Sequence, residues 1–111
     1  MAYKSPFTPA HFPELPPVAG VGLGTAACGV RYRNRDDLMV AELAAGTTVA
    51  GVFTQSLTAS APVEWCREMV QGGSARALVV NTGNSNAFTG RAGEGSVAAI
   101  CDAVAEATGL P

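Results

Sequence analysis

Histidine occurs once, as His11, and cysteine three times, as Cys28, Cys66 and Cys101. That poverty excludes much chemistry. No CxxC pair and no Cys/His metal spacing is present, so no metal site is expected. A Cys–His or Ser–His–Asp nucleophile would have to recruit His11, which sits among prolines. Three thiols, odd in number and far apart, fit lone buried cysteines in a reducing compartment, hence a cytoplasmic protein. Charge is scarce too, at 14% of residues with a net of −2, and no large basic surface is available for nucleic acid. Apolar residues reach 48%. Yet no apolar run approaches the roughly 20 residues needed to cross a bilayer, so no membrane span is expected. The opening Met1-Ala-Tyr-Lys-Ser-Pro-Phe7 has no continuous apolar segment behind Lys4 and does not read as a secretion signal.

What is present fits one domain or part of one, since the chain has 111 residues. High apolar content, few charges and a mean hydropathy of +0.22 suggest a piece of a larger body. Residues 1–17 read as a proline-rich leader, extended rather than packed as an element. Residues 18–111 read as the N-terminal part of an α/β domain.

Val18 to Val30 is small, apolar and glycine-rich, a pattern of one or two interrupted strands. Its Gly20-Val-Gly-Leu-Gly24 is not a dinucleotide fingerprint, because prolines precede it and no helical period follows. Arg31, Arg33 and Arg35 alternate, as a basic stripe on a strand would, or simply mark a solvated hairpin end. Asp37 to Leu43 and Thr47 to Thr54 read as strands joined by a hairpin turn at Ala44-Ala-Gly46. Ser60-Ala-Pro-Val-Glu64 has helix-start chemistry: a serine cap, an early proline and an acid in the first turn. Val63, Cys66 and Val70 give that helix one apolar face, and Gly72-Gly73 ends it. A second helix is predicted from about Ala92 to Thr108, with Val97, Ile100, Cys101, Val104 and Ala105 at helical spacing. Gly109 and Pro111 stop it. The order implies an α/β layered arrangement.

The most informative stretch is Ala77-Leu-Val-Val-Asn-Thr-Gly-Asn-Ser-Asn-Ala87. Ala77 to Val80 reads as a strand buried on both faces, with no polar alternation. Asn81 onward cannot continue it, because Asn, Ser and Gly favour tight, non-repetitive backbone. The loop is therefore expected where a parallel strand hands over to a helix, the place where ligands bind in open α/β sheets. Two roles are open to Asn81, Thr82, Gly83, Asn84 and Asn86. Amides at a helix start can cradle an anion while carboxamides orient a substrate. Alternatively, the loop satisfies its own buried backbone groups. The phosphate-binding lysine and hydroxyl of a P-loop are missing.

Together with Val18-Ala-Gly-Val, Asp36-Asp-Leu, Thr48-Val-Ala-Gly-Val-Phe-Thr54 and Ser60-Ala-Pro-Val63, this loop resembles the ornithine acetyltransferase family. That family is also described as the bifunctional glutamate N-acetyltransferase of arginine biosynthesis. The resemblance covers roughly residues 18 to 108. It implies the layered α/β sandwich of the self-cleaving ornithine acetyltransferase and aminopeptidase type, of which this chain is the N-terminal part. It implies acetyl transfer from N-acetylornithine to glutamate, with acetyl-coenzyme A a possible second donor and no resident cofactor. It also implies self-cleavage into α and β chains, assembled two and two. The nucleophile is the freed β-chain threonine, activated by its own amine through an acetyl-threonine intermediate. The oxyanion segment and the cleavage threonine are expected beyond Pro111, so no catalytic residue transfers onto this sequence. This segment alone is expected to be inactive. A non-catalytic α/β assembly or binding module and a self-cleaving aminopeptidase are the alternatives.

Overall fold

The computed structural model, which describes residues 4–83 and 85–111, has a three-stranded antiparallel sheet, a helix that touches its third strand and a second helix packed on the first. In chain order the elements are β1 (Val21–Ala26), β2 (Leu38–Leu43), α1 (Ala61–Met69), β3 (Ala77–Asn81) and α2 (Gly90–Thr108). The sheet order is β1-β2-β3, so β2 is central and hydrogen-bonded on both edges. Residues 11–18 form no regular element and are exposed.

The glycine-rich segment is a strand, as its composition suggests, and it pairs with β2 from Val21↔Leu43 to Ala26↔Leu38. The hairpin therefore closes through residues 27–37. The arginines fall in that connection and not on a strand, so no alternating basic stripe forms; Arg35 instead stacks 4.3 Å over the Tyr32 ring.

Three expectations about the strands are corrected. First, β3 runs antiparallel to β2, with Leu38↔Asn81 and Glu42↔Ala77 at the ends of the register. The reason lies at the chain crossing. Leu43 N–H donates to the Arg76 carbonyl at 2.8 Å, and Arg76 Nε donates to the Leu43 carbonyl at 3.0 Å. These bonds start β3 at the end of the sheet where β2 finishes, so it must run back. Second, β3 is not buried on both faces: Leu78 and Val80 are 49% and 44% exposed. Directly paired residues share a sheet face, which groups Leu23, Ala41 and Leu78, and likewise Thr25, Met39 and Val80. On that face Ala41, at the centre, is buried, while Leu23, Leu78 and Val80 around it are exposed. Third, residues 47–54 do not form a strand. Both edges of β2 are already taken, and the segment finds only a single bridge, Thr48↔Ser74.

The helices follow the sequence more closely. Ser60 holds the N-cap position of α1, with a proline just inside. Its hydroxyl makes no capping bond; its carbonyl accepts from the Val63 and Glu64 N–H groups. After Met69 the chain tightens into a 3-10 turn, Val70–Gly72, and stops at Gly73 with φ 71°. α2 ends at Gly109, whose φ of 66° lets its N–H reach the Ala105 carbonyl at 2.9 Å. The two helices meet where Ala61 faces Gly93, which is buried; a methyl group on Gly93 would lie 3.4 Å from the Ala61 methyl. Among the described residues only Ala41 and Val97 are fully buried apolar side chains.

A candidate functional site around the Asn-Thr-Gly loop

Asp37, immediately before β2, organises the end of the sheet from which the loop departs. It is 2% exposed. Its Oδ1 accepts from the Cys28 N–H at 2.7 Å and its Oδ2 from the Val30 N–H at 2.6 Å. Its main chain bonds both neighbours: its N–H reaches the Ala26 carbonyl at 3.1 Å, and its carbonyl accepts from the Thr82 N–H at 3.0 Å. One residue thus ties the hairpin connection to the first turn after β3. In the sequence Asp37 reads only as the first residue of a strand and as part of the Asp36-Asp-Leu segment, not as a clamp. An acid directly before an apolar strand, and after a glycine-containing bend, is the pattern that points to such a clamp.

Gly83 shows how tightly the two segments meet. Its φ is +100°, and a methyl group there would lie 2.8 Å from Arg31 Cβ and 2.9 Å from the Tyr32 ring. Only glycine fits both the backbone angle and the space. Arg31 Nη1 donates to the Gly83 carbonyl at 3.5 Å, a long bond.

Of the expected loop residues, Thr82 and Gly83 thus face the hairpin connection. Asn81 and Asn86 do something else. They border a 280 Å³ apolar groove with Trp65 and Cys66 of α1 and Val97 and Cys101 of α2. Asn81 is the last residue of β3, opposite Leu38, and is exposed. Asn86 is half-buried, and its carbonyl accepts the Ala61 N–H at 3.0 Å. The fifth, Asn84, lies outside the described residues.

This placement corrects the idea of an anion cradle at the following helix. α2 begins only at Gly90, itself at φ 55°, two residues after Phe88 at φ 57°. Residues 82–89 stand between β3 and that helix. The helix start the loop does touch is that of α1, where the Asn86 carbonyl satisfies one of the first N–H groups. The loop's main chain is therefore used architecturally, joining the hairpin, the sheet end and α1. Asn81 and Asn86 border the groove.

The cysteines divide likewise. Cys28 and Cys66 are exposed and Cys101 is half-buried, so the expectation of buried thiols holds only in part. Burial pushes the Cys101 thiol above its ordinary 9.0, with Cys66 and then Asp102 adding to the rise. Among the described residues no cluster of three or more His, Cys, Asp or Glu has a metal-holding arrangement. No helix of the described residues is long and apolar enough to cross a membrane.

A small antiparallel sheet with two packed helices, and a carboxamide-rich loop at the sheet's end, places the chain in the α/β class. The family can be given more narrowly. A model described as the ArgJ family matches residues 22–111. The chain is 54% identical over 105 residues to the arginine biosynthesis bifunctional protein ArgJ of Bradyrhizobium diazoefficiens, covering 95% of this chain and 25% of that protein. The protein of the same name from Ruegeria pomeroyi is 54% identical over 109 residues, covering 96% and 27%. That of Brucella suis is 48% identical over 108 residues, covering 97% and 26%. This chain belongs to the ArgJ family, as the resemblance implied. It spans about a quarter of the length of the curated relatives it matches.

Proposed function

We propose that these residues form the front of an acetyltransferase of arginine biosynthesis that moves acetyl from N-acetylornithine to glutamate. The observation that carries this reading is the ArgJ family match over residues 22–111, which includes the whole Asn81–Ala87 loop. Relatives of this family bear the name bifunctional protein of arginine biosynthesis. The aminopeptidase alternative has no such support.

In this reading the chemistry belongs to polypeptide beyond Pro111. A threonine freed by self-cleavage attacks the acetyl carbonyl, its own amine takes the proton, and ornithine leaves. Glutamate then collects the acetyl group. The segment described here supplies one sheet-and-helix layer of an α/β sandwich and sets the loop beside the site. Asn81, Thr82, Gly83, Asn84 and Asn86 support the substrate pocket and perform no chemistry. Acetyl-coenzyme A is a second acetyl donor, no cofactor is resident, and two α and two β chains assemble in the cytoplasm. The exposed Leu23, Leu78 and Val80 on one face of the sheet support a larger assembly, because contiguous exposed apolar surface marks sites of interaction.

The test is direct. The complete coding region is expressed, and transfer of labelled acetyl from N-acetylornithine to glutamate is followed with and without residues 1–111. The complete protein turns over and the isolated segment does not. Turnover by the segment alone, or peptide-amide hydrolysis in place of acetyl exchange by the complete protein, would overturn the proposal.

A further inference from the structure

Cys66 and Cys101 come from different helices yet open onto the same groove, and the proposed acetyl transfer uses neither. The sequence reading treated them as unrelated thiols because 34 residues separate them. α1 and α2 pack directly against each other, and both cysteines border the groove between them beside Val97 and Ile100. Where two helices touch, their axes lie about 8–10 Å apart and each Cα sits about 2.3 Å off its axis. Residues that meet across such a contact have Cα atoms on the order of 3.4–5.4 Å apart, so two helices packed this closely, with both thiols on one groove, are near enough for a disulfide's span. The electrostatics agree with such a placement. Cys66 raises the Cys101 thiol more than Asp102 does, although Asp102 is the chain neighbour. Cys28 belongs to a different region, the hairpin connection, where its N–H is held by Asp37.

The two thiols also differ in the way a sequential oxidation requires. Cys66 is exposed, and Cys101 is half-buried. An oxidant meets the first; the second is placed to resolve it. We propose that Cys66 and Cys101 form a modification site, in which peroxide oxidises Cys66 and Cys101 closes a reversible disulfide joining α1 to α2. In the first step the Cys66 sulfur attacks hydrogen peroxide, the O–O bond breaks, and Cys66 sulfenic acid and water form. In the second the Cys101 sulfur attacks Cys66 Sγ, the S–O bond breaks, and a second water leaves with the thiol proton. Two thiols are oxidised by two electrons and one peroxide is reduced. A dithiol reductant reverses the bond.

The bond joins the helices within the groove that Asn81 and Asn86 also border, five residues along α1 from the Ala61 N–H that Asn86 satisfies. The site itself does not depend on the acetyltransferase reading.

The experiment treats the complete protein with graded hydrogen peroxide, blocks the remaining thiols with iodoacetamide, and maps peptides without reduction. The expected result is loss of both free Cys66 and Cys101 peptides and gain of one linked pair, reversed by dithiothreitol. Cys101→Ser should abolish the pair and leave Cys66 as a sulfenic acid trapped by dimedone. The wild-type map needs no variant to fold. Cys66 and Cys101 both recovered as carbamidomethyl peptides after peroxide, or each linked to some other cysteine, would overturn the proposal.

Discussion

Replacing Asp37 by alanine tests whether one carboxylate really binds the hairpin connection to the sheet. The side chain accepts two main-chain hydrogen bonds, from Cys28 at 2.7 Å and Val30 at 2.6 Å. Bonds to a charged acceptor are worth about 1.5–3 kcal/mol each. Both donors belong to exposed residues, so water recovers part of each loss once the carboxylate is gone. The two bonds sum to about 3–6 kcal/mol, and with that recovery the expected local destabilisation is about 2–3 kcal/mol, at or below the lower end of the sum. At about 1.4 kcal/mol per factor of ten, opening of this region rises roughly 30- to 150-fold. Native-state hydrogen exchange on the complete protein reads that number at the Cys28 and Val30 amides. Thr82 should follow partway, because its partner is the Asp37 carbonyl and survives the change. Asp36→Ala is the control. Among the described residues the Asp36 side chain accepts only the exposed Thr25 hydroxyl, at 2.6 Å, and its loss should alter exchange by less than about threefold. Unchanged protection at Cys28 and Val30 would refute the clamp. So would an equal loss along α2, which would show global rather than local destabilisation.

The remaining predictions concern glycines and the groove thiol. Gly83→Ala should destabilise by about 1–3 kcal/mol, from its +100° φ and contacts to Arg31 and Tyr32, seen as a lower thermal midpoint. Gly93→Ala and Gly95→Ala should move in opposite directions in the same assay. A methyl at Gly93 collides with the Thr89 side chain and presses on Ala61, whereas one at Gly95 meets nothing within 4 Å. The second should gain about 0.5–1 kcal/mol from helix propensity alone. Alkylation of Cys101 should reach half its maximal rate above pH 9.0, because burial favours the neutral thiol. The sign for stability follows: the folded state holds that proton more tightly, so stability falls as pH rises past 9.0. A Cys101 titration at or below 9.0 would contradict it.

Helices were the most legible part of the sequence. The α1 start at Ser60-Ala-Pro and the Gly73 and Gly109 stops depend on neighbours a few positions away, and the structure places them as expected. Strand direction was not legible. Nothing in Ala77-Leu-Val-Val says which way its neighbour runs; that follows from the Arg76–Leu43 bonds across 33 positions. The same blindness explains residues 47–54, whose valines and threonines suit a strand but find β2 occupied on both sides. At the candidate site the unusual loop was visible, because carboxamides and glycine crowd together there. Its support was not, since Asp37 acts through bonds to residues 7 and 9 positions earlier and to the turn after β3.

The apolar side of the sheet has a practical outcome. Leu23 is 74% exposed, and it shares that side with half-exposed Leu78 and Val80. A preparation of these residues by themselves should stick to its own kind as concentration rises, and bind a dye such as ANS, long before any loss of helix is seen. Coexpression with whatever polypeptide seats against Leu23 should suppress both behaviours, which turns solubility into a screen for the missing layer.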